Sequence, residues 1–200
     1  MTKKFFFSLL IIFLYLSSAH SVTYNSEPKI FIQELVDDTI KTLSDTSLTI
    51  EEKHKFVEKV AKENVDIDGL SLYTLGKIRK DIDSETLSEY QNLFEDYFLK
   101  SLTSRLSDYS DSKIEVLGAE QKSSNYTIVN SKIIPKDGSP EIKIDWRIYT
   151  KNPEKPLIRD LIVEGLSLAR TQKEEFASIL SSNNNNLDKL IDKLQEFLNK

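Results

Sequence analysis

Cysteine is absent from the 200 residues. That excludes a disulfide, a thiolate nucleophile, a thiolate metal site and a lipid-attachment cysteine behind the amino-terminal apolar run. Whatever fold forms must be held by its core. Glycine is scarce, five residues in all, and none of the words GxxxxGK(S/T), GxGxxG or GxSxG occurs, which disfavours a nucleotide cradle and the nucleophile turn of serine hydrolases. Positive charge is in deficit, 27 Lys and Arg against 32 Asp and Glu. This balance argues against a nucleic-acid partner and against attachment to anionic lipid by a polybasic segment.

Histidine is nearly missing as well. Beyond His20 there is His54, which stands among Glu51, Glu52, Lys53 and Lys55 and reads as a surface side chain, since a general base needs a pocket and an orienting partner. Asp66-Ile67-Asp68 and Asp81-Ile82-Asp83 bring carboxylates close together without the further ligands and glycine of a calcium loop; they read as helix-end acids. No metal and no cofactor is expected, and no catalytic residue stands out.

What is present begins with an export pattern. Lys3 and Lys4, the apolar run Phe5–Leu16 and Ala19-His20-Ser21 match the basic, apolar and small-x-small parts of a secretory signal over residues 1–21, with cleavage after Ser21. The run is short of the about 20 residues that span a bilayer, an uncleaved anchor being the alternative. Losing Lys3 and Lys4 takes the formal charge from −5 to about −7. Residues 22–200 are expected to form a single domain with a helical front half (28–110), a sheet (113–164) and closing helices (168–198).

In the front half, Phe31, Leu35, Val36, Ile40 and Leu43 recur at helical spacing after Pro28. Thr49 and Glu52 form a capping box opening a second helix with Phe56, Val57, Val60 and Ala61 inward. A short third helix runs through Leu70, Leu72, Tyr73 and Leu75, with Gly76 inside it or near its end. Asp83 or Ser84 caps the longest helix, expected to reach about Tyr109. Its apolar residues Leu87, Tyr90, Leu93, Phe94, Tyr97, Phe98, Leu102, Leu106 and Tyr109 sweep roughly 220°, about twice the stripe a surface helix needs. Either neighbouring elements cover all of it or part of it faces a ligand.

The back half turns to a period of two. Lys113–Leu117, Tyr126–Ile134, Glu141–Thr150 and Leu157–Glu164 are expected strands with short links, which favours an antiparallel meander. The third places Ile142, Ile144, Trp146 and Ile148 on one face and Lys143, Asp145 and Arg147 on the other, where Asp145 and Arg147 could pair with each other, meet a partner or line a polar head. The fourth places Leu161 and Val163 on one side and Ile158 and Ile162 on the other. Helices Thr171–Leu180 and Leu187–Leu198 close the chain, and Asn183–Asn186 reads as a polar loop between them. The class is α+β: a curved antiparallel sheet of four or five strands wrapped by helices, a cone filled by side chains or by a ligand.

Two separated stretches carry a resemblance. The first is Asn64-Val65-Asp66, Tyr73-Thr74-Leu75-Gly76-Lys77 and the helix with Tyr90, Phe94, Phe98 and Leu102. The second is Asp145-Trp146-Arg147-Ile148, then Asp160-Leu161-Ile162-Val163-Glu164-Gly165-Leu166-Ser167 and Glu175-Phe176. Together they resemble the MlaC family, periplasmic phospholipid carriers also called toluene-tolerance proteins. The chain departs from the family pattern at Ile78 and Arg79, where many members carry an aromatic residue and a tryptophan, and at Asn183–Asn186, where a glycine-bearing loop is usual.

The resemblance implies a twisted sheet and helices enclosing an apolar cavity for acyl chains, without catalysis. It implies phospholipid shuttling between inner and outer membranes, and two partners: an inner-membrane ABC transporter with a lipid-conducting ring and an outer-membrane lipoprotein complex. A monomer is expected. Candidate lining residues are Leu70, Tyr73, Leu75, Tyr97, Tyr126, Ile128, Ile144, Trp146, Ile148, Leu161 and Val163, each of which could equally be dry core. A carrier for a hopanoid or another hydrophobic ligand, and a small-molecule enzyme on the same scaffold, remain as alternatives.

Overall fold

Each helix starts on a side chain able to satisfy its free amides, as the spacing of acids and hydroxyls predicts. In the computed structural model, which describes residues 23–106 and 112–200, Glu27 accepts hydrogen bonds from the amides of Lys29 and Ile30 and opens α1 (Pro28–Ser44). Thr49 and Glu52 form the reciprocal capping box of α2 (Ile50–Asn64). Asp66 caps α3 (Ile67–Leu75) through the Gly69 amide, and a Cβ at Gly69 would collide with that carboxylate. Gly76 lies just past α3 with φ +60°, ahead of a 3₁₀ turn, Ile78–Lys80. Asp83, rather than Ser84, caps α4 (Ser84–Leu106), accepting from the Glu85 and Thr86 amides. The expected end of this helix at Tyr109, and the signal segment, lie outside the described residues.

Five strands follow: β1 (Lys113–Ser123), β2 (Tyr126–Ile134), β3 (Ile142–Tyr149), β4 (Leu157–Val163) and the two-residue β5 (Leu166–Ser167). They pair in sequence order as one antiparallel meander. β1 runs six residues further than its apolar pattern indicates. Its outer half, Gly118 to Ser123, is wet on both faces and pairs with β2 through backbone bonds and two bulges, so no side-chain alternation announces it. Glu164 and Gly165, with φ +49° and +82°, make the two-residue turn into β5. Then come α5 (Leu168–Ser182) and α6 (Leu187–Leu198). Between them Asn184 and Asn185 hold φ of +56° and +58°, so asparagine, the non-glycine residue best suited to left-handed backbone, supplies that turn.

Two cores result. One joins Phe31, Ile32, Leu35 and Val36 of α1 and Val60 of α2 to Val116, Val129, Ile133, Ile144, Trp146, Ile148 and Ile158 of the sheet. The other is helical, built around Tyr90, Phe94 and Leu99 of α4, Leu75 of α3, Phe176 and Leu180 of α5, and Leu190, Ile191 and Leu194 of α6. Neighbouring residues of α2, Val60 and Ala61, belong one to each. The apolar residues of α4 from Leu87 to Leu102 are thus taken up by the helical core. The sheet's inner face is covered by α1, with Phe56 and Val60 of α2 beside it.

The facing of β4 differs from the simple alternation. Trp146 pairs with Leu161 but Ile148 pairs with Ile158, so Arg159 is the extra residue of a bulge. The bulge returns Ile158 to the inner face beside Leu161 and Val163 and leaves Ile162 on the outer one.

Candidate functional site

The inner face of the sheet is largely apolar, interrupted on β2 by the buried hydroxyl residues Thr127 and Ser131. Ser131 on β2 is 2% exposed; its hydroxyl accepts a 2.8 Å hydrogen bond from the Trp146 indole and donates to the Ile144 carbonyl at 3.2 Å. A buried indole N–H needs such a partner, and the pair anchors the tryptophan ring in the sheet core. Leu161 and Val163 pack against that core while remaining only half-buried.

The sequence-derived candidates therefore fall into three places. Ile144, Trp146, Ile148, Leu161 and Val163 meet on the inner face under α1. Leu70, Leu75 and Tyr97 belong to the helical core, where Tyr97 donates to Gln172 at 3.0 Å and packs on Phe176 and Phe197. Tyr73 lies on the surface of α3, 41% exposed, with the Lys173 ammonium 4.7 Å from its ring centre. Tyr126 and Ile128 point to the outer face. That face carries an open hollow of about 650 Å³ whose lining also includes Asn130, Asp145, Arg147 and Ile162. The α1 side chains Phe31, Ile32 and Val36 were absent from the candidate set; their helical repeat is that of any amphipathic helix, and nothing in it says which sheet it covers.

Charge on the outer face is internally matched. Arg147 reaches Asp160 at 3.6 Å rather than Asp145, and Asp145 accepts from the Asn130 amide at 2.8 Å. Asp160 itself is buried at 5% exposure and holds the Ser167 hydroxyl and the Ala169 amide. At the β4 bulge Arg159 stacks on Tyr149, its guanidinium 3.5 Å from the ring centre, and binds the Tyr126 hydroxyl at 2.8 Å and the Asp66 carboxylate. Burial alone would lower the Arg159 pKa, but the hydrogen bonds it donates to Tyr126 and Asp66 together raise it. Burial raises the Tyr90 phenol above its ordinary range; its oxygen lies 2.8 Å from the Thr74 hydroxyl between α3 and α4. These polar groups fasten elements together. Among the described residues no cluster of three His, Asp or Glu could hold a metal ion, and no helix is long and apolar enough to cross a membrane.

A meander of this order, with α1 and part of α2 across its inner face and a separate helical layer, can be compared with known proteins. The MlaC protein family model matches residues 33–196, spanning α1 to α6. The chain belongs to the MlaC family. Among solved structures, the MlaC member is similar to the phospholipid-binding protein from Ralstonia solanacearum, determined in complex with a phospholipid. The TM-score is 0.70 at 18% identity, covering 87% of this chain and 97% of that one. At this identity the likeness is one of fold. A sequence search of curated proteins gives no match.

Proposed function

We propose that this protein is a soluble carrier that binds the acyl chains of a phospholipid on the inner face of its sheet, under α1. The observation that carries the reading is the pair of separate cores. A helical core can keep the fold closed while the sheet core, roofed by α1 with Phe56 and Val60 of α2 at its flank, exchanges side-chain contacts for ligand contacts. Family membership and the solved relative's phospholipid complex support the same ligand class. The binding site then consists of Ile144, Trp146, Ile148, Leu161 and Val163 with the α1 side chains Phe31, Ile32 and Val36.

The driving force is burial, about 0.8 kcal/mol for each methylene removed from water. One chain holds a lipid only marginally and two hold it firmly, so release calls for a partner that opens the roof. In this reading the carrier works in the periplasm and takes or delivers lipid at two complexes. One is an inner-membrane ABC transporter with a lipid-conducting ring; the other is an outer-membrane lipoprotein complex. It performs no reaction on its ligand.

The protein purified from membranes and examined by native mass spectrometry is expected to carry one phospholipid, and the stripped protein to regain it from vesicles. A protein that is repeatedly lipid-free, and that also takes no lipid from vesicles, contradicts the reading. Competition with a hopanoid tests the ligand class.

A further inference from the structure

A lipid held on the inner face must enter at an edge of the sheet, and the two edges are built differently. The β4 edge is clasped. The Asp66 amide donates to the Ile158 carbonyl at 2.9 Å, Arg159 ties Asp66 to Tyr126, and Asp160 holds the start of α5. At the β1 edge α1 rests on the sheet through apolar side chains, and among the described residues no hydrogen bond joins α1 to a strand.

That second edge contains a cavity of about 330 Å³ between α1 and β1, lined by Gln33, Val36, Asp37 and Ile40 on one side and Lys113, Ile114, Glu115 and Val116 on the other. Val36 and Val116 are members of the buried sheet core, and Ile40 and Ile114 pack against it. The cavity is therefore the outward end of that core. Its rim is polar. Asp37 accepts from Gln33 at 2.9 Å and Glu115 faces Lys132 at 3.7 Å, whereas Lys113 has no ion pair among the described residues.

We propose that this seam is the mouth through which phospholipid acyl chains enter and leave, with Lys113 contacting the phosphate at its rim. The proposal rests on the inner-face carrier reading above and names the route to that site. The arrangement suits an amphiphile: methylenes gain by passing Ile40 and Ile114 toward Trp146, and the charged head stays at the rim because burying it unpaired is costly. Ligand pockets run from about 300 to 1,000 Å³, so the seam as it stands admits the start of a chain. Fuller entry requires α1 to lift from β1 while the clasped β4 edge stays shut.

Two photoreactive phospholipids test the route, one with a diazirine near the glycerol and one at the chain end, each loaded into the full protein, irradiated and mapped by peptide mass spectrometry. The glycerol-proximal probe is expected on Ile40, Lys113 or Ile114, and the chain-end probe on Trp146, Ile148 or Leu161. A glycerol-proximal probe that labels Arg159, Tyr126 or Ile162 while the chain-end probe still labels Trp146, Ile148 or Leu161 overturns the mouth and leaves the inner-face carrier reading standing; chain-end labelling confined to the helical core, or failure to bind any lipid, overturns both. Lys113→Glu is expected to slow uptake from vesicles containing an anionic lipid by about fivefold or more. Lys122→Glu, on the outer face, is expected to leave uptake unchanged, and equal slowing by the two overturns the role of Lys113.

Discussion

The carboxylate of Asp160 accepts a 2.6 Å hydrogen bond from the hydroxyl of Ser167, and Ser167 in turn caps α5 through the Arg170 amide. This pair ties the two ends of the run from Asp160 to Ser167 together. Asp160 must reach across the Glu164-Gly165 turn to fasten the last strands to the closing helix. This part of the second family-like stretch is a joint, and Leu161 and Val163 within it turn toward the sheet core.

Removing the joint should therefore cost stability. Asp160→Ala leaves the Ser167 hydroxyl and the Ala169 amide without their charged acceptor, at about 1.5–3 kcal/mol for hydrogen bonds of this kind. The partner Arg147 is 44% exposed and adds little. Urea denaturation measures the loss, and Asp160→Asn, which keeps an acceptor oxygen, is expected to lose less.

Trp146 is the single tryptophan of the chain, so intrinsic fluorescence reports on the inner face alone. A phospholipid brominated along its acyl chains is expected to quench that emission on uptake, while the unbrominated lipid does not. Unquenched emission from a protein shown to hold brominated lipid would place the chains elsewhere.

Leu75 and Leu161 were equivalent as sequence candidates and now separate. Leu75, 3% exposed in the helical core, should lose about 2–5 kcal/mol of stability on change to alanine, as buried leucines do, with lipid retention by the folded fraction unchanged. Leu161→Ala, at a half-buried position on the sheet, should cost less stability and speed lipid loss. Denaturation and vesicle back-transfer, measured on both variants, distinguish the roles.

The helix starts set the acid response. Hydrogen bonds from the Thr49 amide and hydroxyl hold the Glu52 carboxyl below its ordinary value, and the Thr86 amide and hydroxyl do the same for Asp83. Both are depressed in the fold, so their stabilisation is complete above the ordinary carboxylate pKa and is lost as the pH falls through the lowered values. Thermal midpoints should drop between about pH 5 and pH 3. A Glu52→Gln, Asp83→Asn double variant should show a shallower drop with a near-normal midpoint at neutral pH; an unchanged slope would rule out these caps as the cause.

Much of the architecture was legible because it is local. The Thr49 and Glu52 capping box, Pro28 at a helix start and the alternation of Ile142, Ile144, Trp146 and Ile148 each specify one element by periodicity or by a short-range hydrogen bond. The bulge at Arg159 was not legible, since an extra residue in one strand shows only against its partner. It reversed the expected facing of Ile158. The two-residue β5 and the polar half of β1 escaped for a related reason: pairing by backbone alone leaves no side-chain signature.

The amino-acid order specified the class, the element order, the apolar face of most elements and the family. It could not determine which helix roofs the sheet, because α1 and α4 offer similar apolar repeats and hydrophobic contact is non-directional. Tertiary packing decided that. It committed the apolar residues of α4 from Leu87 to Leu102 to other helices, laid α1 over β1 and β2 against the core that holds Trp146, and clasped one sheet edge with Arg159, Asp66 and Asp160 while leaving the other to apolar contact.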